Sequence, residues 1–157
     1  MKLMLKQKAF SWFDCYDIYD ESGKAIYQVK GCLSWGHKLY ICNPKGEQIG
    51  LVKEVMLTFL PKFEIYQYGR YLGCVKRELT FLMSRYSIDY NGWQVTGDVP
   101  GWKYEVKDAH GYGVAKISKV LFRWTDTYCI EVYNSMHALD VLMLVLSLDA
   151  EKCTRGE

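Results

Sequence analysis

At 157 residues, with 50% hydrophobic and 24% charged residues, the chain has the size and composition of one globular domain that can bury a core without disulfides or metals. Its net charge of +2 falls short of the strongly basic face of a nucleic-acid-binding protein, and no nucleic acid is expected as a partner. Aromatics reach 15%, with thirteen tyrosines, which suits half-buried pleated surfaces and so β structure.

In chain order, the predicted elements are hairpins. Gly23, Gly46, Gly69 and Gly92 recur every 23 residues. An aliphatic residue follows each one three positions on: Ile26, Ile49, Leu72 and Val95. After the first three glycines come Val29, Val52 and Val75, each followed by a lysine, and Ile18, Ile41, Ile65 and Ile88 precede the four. A drifted fifth copy centres on Gly111, with Val106 before it and Val114 and Ile117 after. Glycine tolerates the positive φ of a turn, and apolar residues at β spacing on both sides mark paired strands. Asp20, Asn43 and Asp108 stand three before Gly23, Gly46 and Gly111, the pattern of a type I turn that closes on glycine. Tyr68-Gly69 and Asn91-Gly92 read as tighter turns, and Asn-Gly is a strong type I′ hairpin signal. Trp93 and Trp102, with Gly92, Gly97, Pro100 and Gly101, mark the longest irregular stretch, read as a barrel-rim turn or a ligand-contacting loop. Five hairpins in series predict about eleven or twelve antiparallel strands, a sheet wide enough to close into a barrel.

The chain then changes character. Asn134 and Ser135 are good helix caps, and the run Met136 to Leu148 is rich in Leu and Met with no β alternation. This predicts a helix over 135–148 that is apolar on nearly every side and must be buried on every side. A barrel of about twelve strands has a lumen too wide for side chains alone, and a helix about 10 Å across fits it. The plainer alternative is a helix lying across an open sheet. The expected organisation is one domain over 1–150, with 151–157 as a C-terminal tail.

Little catalytic chemistry is visible. Cys15, Cys32, Cys42, Cys74, Cys129 and Cys153 include no CxxC pair, and His37, His110 and His137 complete no zinc pattern. The opening Met1 to Lys6 lacks the apolar core and cleavage site of a secretory signal, so the cysteines read as reduced core residues of a cytosolic protein. The longest apolar run, Val141 to Leu146, is too short to span a membrane. No GxSxG, HExxH or Walker motif is present, so no catalytic residue, metal or cofactor is assigned.

The hairpins of form I-x-D/N-x-x-G-x-x-I-x-x-V-K and the apolar C-terminal helix resemble the LURP-one-related family, which is similar to the tubby C-terminal domain and the phospholipid scramblases. Lys8-Ala9-Phe10-Ser11-Trp12 and Tyr16-Asp17-Ile18-Tyr19-Asp20-Glu21-Ser22-Gly23 look most like its bacterial members. The resemblance covers essentially the whole chain. It implies a mainly β fold, a closed antiparallel barrel of about twelve strands around a central helix. Tubby domains bind membrane phosphoinositides through basic residues, and none of those is carried onto this sequence.

Two sets of residues are candidates. Strand alternation turns Lys30, Lys53 and Lys76 outward, where they could form a row with Arg70 and Arg77 nearby, a basic stripe for lipid head groups. The plainer reading is a solvated outer face. His137 and Asp140 are three apart on the apolar helix and share a face, so they could line a pocket at the barrel mouth or simply make a satisfied polar contact there. The leading expectation is a non-enzymatic binding or scaffold protein, cytoplasmic or peripheral to the membrane, that engages anionic phospholipid or a protein through its outer surface. The alternative is a small-molecule-binding protein or enzyme using the mouth pocket.

Overall fold

The computed structural model describes residues 1–7, 15–34, 36–78, 85–122 and 125–155. The predicted Lys8–Trp12 signature lies outside these residues. The strands are β1 (Lys2–Gln7), β2 (Cys15–Asp20), β3 (Ala25–Ser34), β4 (Gly36–Cys42), β5 (Gln48–Glu54), β6 (Lys62–Gln67), β7 (Arg70–Glu78), β8 (Arg85–Ile88), β9 (Gln94–Asp98), β10 (Lys103–Lys107), β11 (Gly113–Phe122) and β12 (Thr125–Val132). All twelve form one antiparallel sheet in the order β8-β7-β6-β5-β4-β3-β2-β1-β12-β11-β10-β9. Chain neighbours pair throughout except β8 and β9, which end the sheet, and β12 returns to pair with β1. Those two ends lie beside each other, so the sheet curls into a nearly closed barrel.

The three predicted type I turns are built alike. In each, the side-chain oxygen of the first residue accepts two backbone N–H groups. Asp20 takes those of Ser22 (2.9 Å) and Lys24 (3.0 Å), Asn43 those of Lys45 and Glu47 (both 3.0 Å), and Asp108 those of His110 and Tyr112 (both 2.9 Å). Gly23, Gly46 and Gly111 then sit at φ of +83°, +83° and +85°, where a side chain would strain the backbone. A register shift follows in each hairpin, as expected when a type I turn ends in a glycine bulge.

The Tyr68-Gly69 turn is a two-residue loop between paired Gln67 and Arg70, and both central residues have positive φ, as in type I′. Asn91-Gly92 has the same local shape, with the Trp93 N–H donating to the Tyr90 carbonyl at 3.4 Å. Its flanking strands nonetheless form no ladder among the described residues. Tyr90 and Trp93, on either side of the turn, bury their rings at the barrel mouth, with centroids 5.9 Å apart. The turn therefore sits on the barrel seam. Nor is the Trp93–Trp102 stretch irregular: β9 occupies its middle and both indoles are buried, with Trp102 stacked on Tyr128 at 3.8 Å.

After β12, Asn134 caps a short 3₁₀ turn, Ser135–His137, and α1 runs through Ala138–Arg155. Val141 to Leu146 are wholly inaccessible to solvent, and Ile18, Val29, Ile41, Val52, Ile65, Val75, Val106, Ile117 and Ile130 complete the core from the strands. Gly50 of β5 marks a close approach, where an added Cβ would stand 2.9 Å from the Met143 sulfur. The helix outlasts its expected end at Leu148, and residues 151–155 of the expected tail are helical. Two acids of this extension, Asp149 and Glu151, are 3% and 1% exposed and lie inside the barrel.

The cysteine expectation needs correction. All five cysteines with described side chains are free, but only Cys42 and Cys74 are buried, while Cys15 and Cys32 are exposed. Cys15 pairs with Lys30 and Cys32 with Lys38, on the outward-facing side of the sheet. Leu144→Ala removes a fully enclosed side chain and is expected to cost about 2–5 kcal/mol in urea unfolding. A loss well under about 1 kcal/mol would show that the lumen is loosely filled.

Candidate functional site

Six of the barrel's connections lie at one end, which we call the turn end. They are the five glycine-centred turns and the link from β12 into α1, because in an antiparallel meander every second connection falls on the same side. The helix starts there and finishes at the far end.

At the turn end, Asp140 and His137 sit beside the Tyr90–Trp93 turn. One Asp140 oxygen accepts a hydrogen bond from the Asn91 side chain at 3.1 Å, and the other is buried without a hydrogen-bond partner. Burial pushes the Asp140 carboxyl above its ordinary range; the Asn91 bond and His137 pull the other way. The His137 ring meets Trp93 edge-on at 5.4 Å. The Tyr90 hydroxyl is also buried without a partner, and burial, with Asp140 and Asp89 nearby, pushes its phenol well up. What they do is local: through Asn91 and Trp93 they tie the helix to the turn that bridges the barrel seam.

At the far end, the structure places Arg77 differently from the sequence expectation. Val75 points inward and Lys76 outward, so Arg77 points inward again, and its guanidinium lies 3.5 Å from Glu151 of the helix. Tyr86 donates a further hydrogen bond to Glu151 at 3.0 Å. Arg77 is thus an interior partner of the helix and is not part of an outer stripe.

Lys30, Lys53 and Lys76 do face outward, behind buried Val29, Val52 and Val75. They do not form a row across the strands. Lys30 stands level with Tyr40 and Leu51, Lys53 with Lys38 and Glu64, and Lys76 with Lys62. Each lysine sits two residues beyond the last along its strand, so the three run diagonally, following the strand stagger of a barrel. Arg70 lies in the opposite direction, exposed at the turn end.

The ladder registers assemble a different group. Lys38 and Lys53 are cross-strand partners, as are Lys62 and Lys76. The four occupy the far-end half of the outer face of β4 to β7, with Glu64 among them, 3.5 Å from Lys53. Lys38 and Lys62 carry no repeat signature and become members only once β4 is set against β5 and β6 against β7. The connection between β5 and β6, residues 55–61, leaves the barrel beside this cluster. It exposes Met56 (47%), Leu57 (98%) and Phe59 (91%).

Comparison with known proteins agrees with this architecture. The profile described as LURP-one-related matches residues 1–149. The uncharacterized protein YxjI of Bacillus subtilis (strain 168) is 26% identical over 151 residues, covering 95% of this chain and 92% of that protein.

The raised Asp140 carboxyl gives a signed pH dependence. Its folded value lies above its unfolded one, so the folded state binds more protons between the two, and its stability contribution falls as pH rises through that window. Asp140→Asn keeps an acceptor for Asn91 and removes the titration. The Tm of the variant relative to wild type is therefore expected to rise from pH about 4 upward, checked by thermal unfolding at a series of pH values. A relative Tm that falls over this range would overturn the assignment.

Proposed function

The chain belongs to the LURP-one-related family, and on that premise we propose that it is a non-enzymatic binding protein that works from its outer surface, at the far-end lysine cluster of β4 to β7. What carries the reading is α1. The interior of this barrel is occupied by its own helix, with Val141 to Leu146 fully enclosed, so a ligand has the exterior to meet. On that exterior, Lys38, Lys53, Lys62 and Lys76 stand together with Glu64 as the acid among them. The chemistry that suits such a face is an anionic surface of many weak contacts. Each lysine near an acidic membrane contributes about 1 kcal/mol, and several add up to useful affinity without a shaped pocket.

On this reading the protein is peripheral to a membrane, at its cytoplasmic side. Among the described residues no helix is long and apolar enough to cross one. The alternative of a ligand pocket at the mouth draws on the buried partnerless oxygens of Asp140 and Tyr90, but Asn91, Trp93 and His137 already occupy the space beside them.

The test is flotation with vesicles of phosphatidylcholine and phosphatidylserine at low and physiological salt. Wild type is expected to float, and less so at higher salt. Lys53→Glu/Lys62→Glu/Lys76→Glu is expected to lose at least about 3 kcal/mol of binding, whereas Lys30→Glu/Arg70→Glu, remote from the cluster, loses less. Equal losses from both variants would sink the assignment to this cluster. Absence of wild-type binding would leave a protein partner as the occupant of the surface.

A further inference from the structure

Residues 55–61 stand out among the described connections. Leu57 is 98% exposed and Phe59 is 91% exposed, with Met56 at 47% between them and the barrel. Leucine and phenylalanine usually contribute to cores, and here two of the largest apolar side chains project beyond the sheet. The backbone holds them there. Leu57 has φ +63°, a conformation that a branched side chain adopts only when its surroundings enforce it.

Those surroundings are visible. The Val55 N–H donates to the Lys62 carbonyl at 2.9 Å, closing the base of the loop. The Thr58 hydroxyl donates to the Val55 carbonyl at 3.2 Å, and the Arg77 N–H donates to the Pro61 carbonyl at 3.4 Å. Met56 packs over Gly36, where an added Cβ would stand 3.0 Å from its side chain. Below Met56, the His37 ring and backbone N–H both meet the Glu54 carboxylate, at 2.5 and 3.1 Å. The tip is thus carried on a fixed base, with Lys53 and Lys62 at its two feet and Lys38 and Lys76 beside them.

We propose that the Val55–Pro61 loop is a membrane-insertion element: Leu57 and Phe59 enter the acyl boundary of an anionic bilayer while the surrounding lysines contact its head groups. The inference rests on the reading of the lysine cluster as a lipid-facing surface, and it adds the apolar anchor and the orientation, far end toward the membrane. Area favours a bilayer over a protein. Leu57 and Phe59, even with half-exposed Met56, offer well under the roughly 800 Å² per partner of a stable protein interface, and lysines stand at both feet of the loop. An interfacial anchor needs only a small apolar tip with basic flanks, which is the composition present here.

The experiment uses the full chain and vesicles of phosphatidylcholine with about one-third phosphatidylserine, compared with phosphatidylcholine alone. Removing either side chain is expected to weaken partitioning about tenfold, and Leu57→Ser/Phe59→Ser about a hundredfold, since each forfeits the burial of a large apolar group. Phe59→Leu should retain most of the binding, and both variants should unfold at the wild-type temperature because the tip packs against nothing. Phe59→Trp should gain fluorescence that brominated lipid quenches, over the wild-type background. Full binding by the double serine variant would overturn insertion while leaving the electrostatic surface standing. Failure of wild type to bind vesicles overturns both readings. Concentration-dependent self-association that the double variant abolishes, without vesicle binding, overturns insertion and assigns the tip to a second copy of the chain.

Discussion

A helix apolar on all sides cannot rest on a flat sheet, because half of its circumference would remain in water. Each enclosed Leu, Val or Met is worth about 1.5–3 kcal/mol when fully buried, so leaving several exposed would cost more than a typical domain's entire stability margin. The constraint runs the other way as well. Twelve strands enclose a lumen too wide for their own inward side chains, and an empty lumen loses its packing contacts. Helix and sheet are each unstable without the other. Much of the remaining architecture meets this mutual requirement: Gly50 makes room for Met143, the inward Val and Ile of each hairpin line the tube, and the seam between β8 and β9 is bridged by contacts from the helix itself.

That dependence explains the polar groups on the helix. At the turn end Asp140 reaches Asn91, and His137 reaches Trp93, both on the turn that spans the unpaired seam. At the far end Glu151 meets Arg77 and Tyr86, on the two strands at that edge of the sheet. A helix that is apolar throughout could slide or rotate in its tube with little penalty. Buried polar groups with specific partners fix its depth and rotation, because displacement would strand them unsatisfied. His137 and Asp140 make contacts of this anchoring kind at the turn end.

Which parts of this were legible in the sequence follows from the range of the forces involved. Turns are local, so glycines, with Asp or Asn three before them in three cases, located four of the turn-end hairpins from a few residues, while Asn91-Gly92 marked a turn whose strands do not pair. The all-round apolar run located the helix for the same reason. Partnership across strands is not local. Lys30, Lys53 and Lys76 share a repeat position, yet the stagger of the barrel places them on a diagonal, while Lys38 and Lys62 have no repeat signature and are brought beside Lys53 and Lys76 by register alone. Arg77 was misplaced by its nearness in sequence to Lys76, though one step along a strand reverses the face. The helix runs past its expected end at Leu148, and the burial of Glu151 there depends on Arg77 of β7 and Tyr86 of β8, which its own neighbours in the chain do not reveal. The exposure of Leu57 and Phe59 is not written in their neighbours in the chain, and no sequence pattern singles them out.

The two barrel ends differ in chemistry for a physical reason. Turn-end hairpins are tight and satisfy their own backbone through Asp20, Asn43 and Asp108, so they are polar and close to the barrel. The connection from Glu54 to Lys62 is longer, and its backbone is secured at the base, which frees its tip from any role in closing the hairpin. A tip without a folding role can carry large apolar residues only at a penalty in solubility. That penalty is moderated by the adjacent lysines, which keep the loop hydrated and repel copies of the same surface. The same lysines that make the exposed tip tolerable in water would draw it toward an anionic surface. An arrangement of this kind needs no conformational change to operate: the fixed barrel orients the tip, and the interior, closed by its own helix, leaves the outside of the molecule to act.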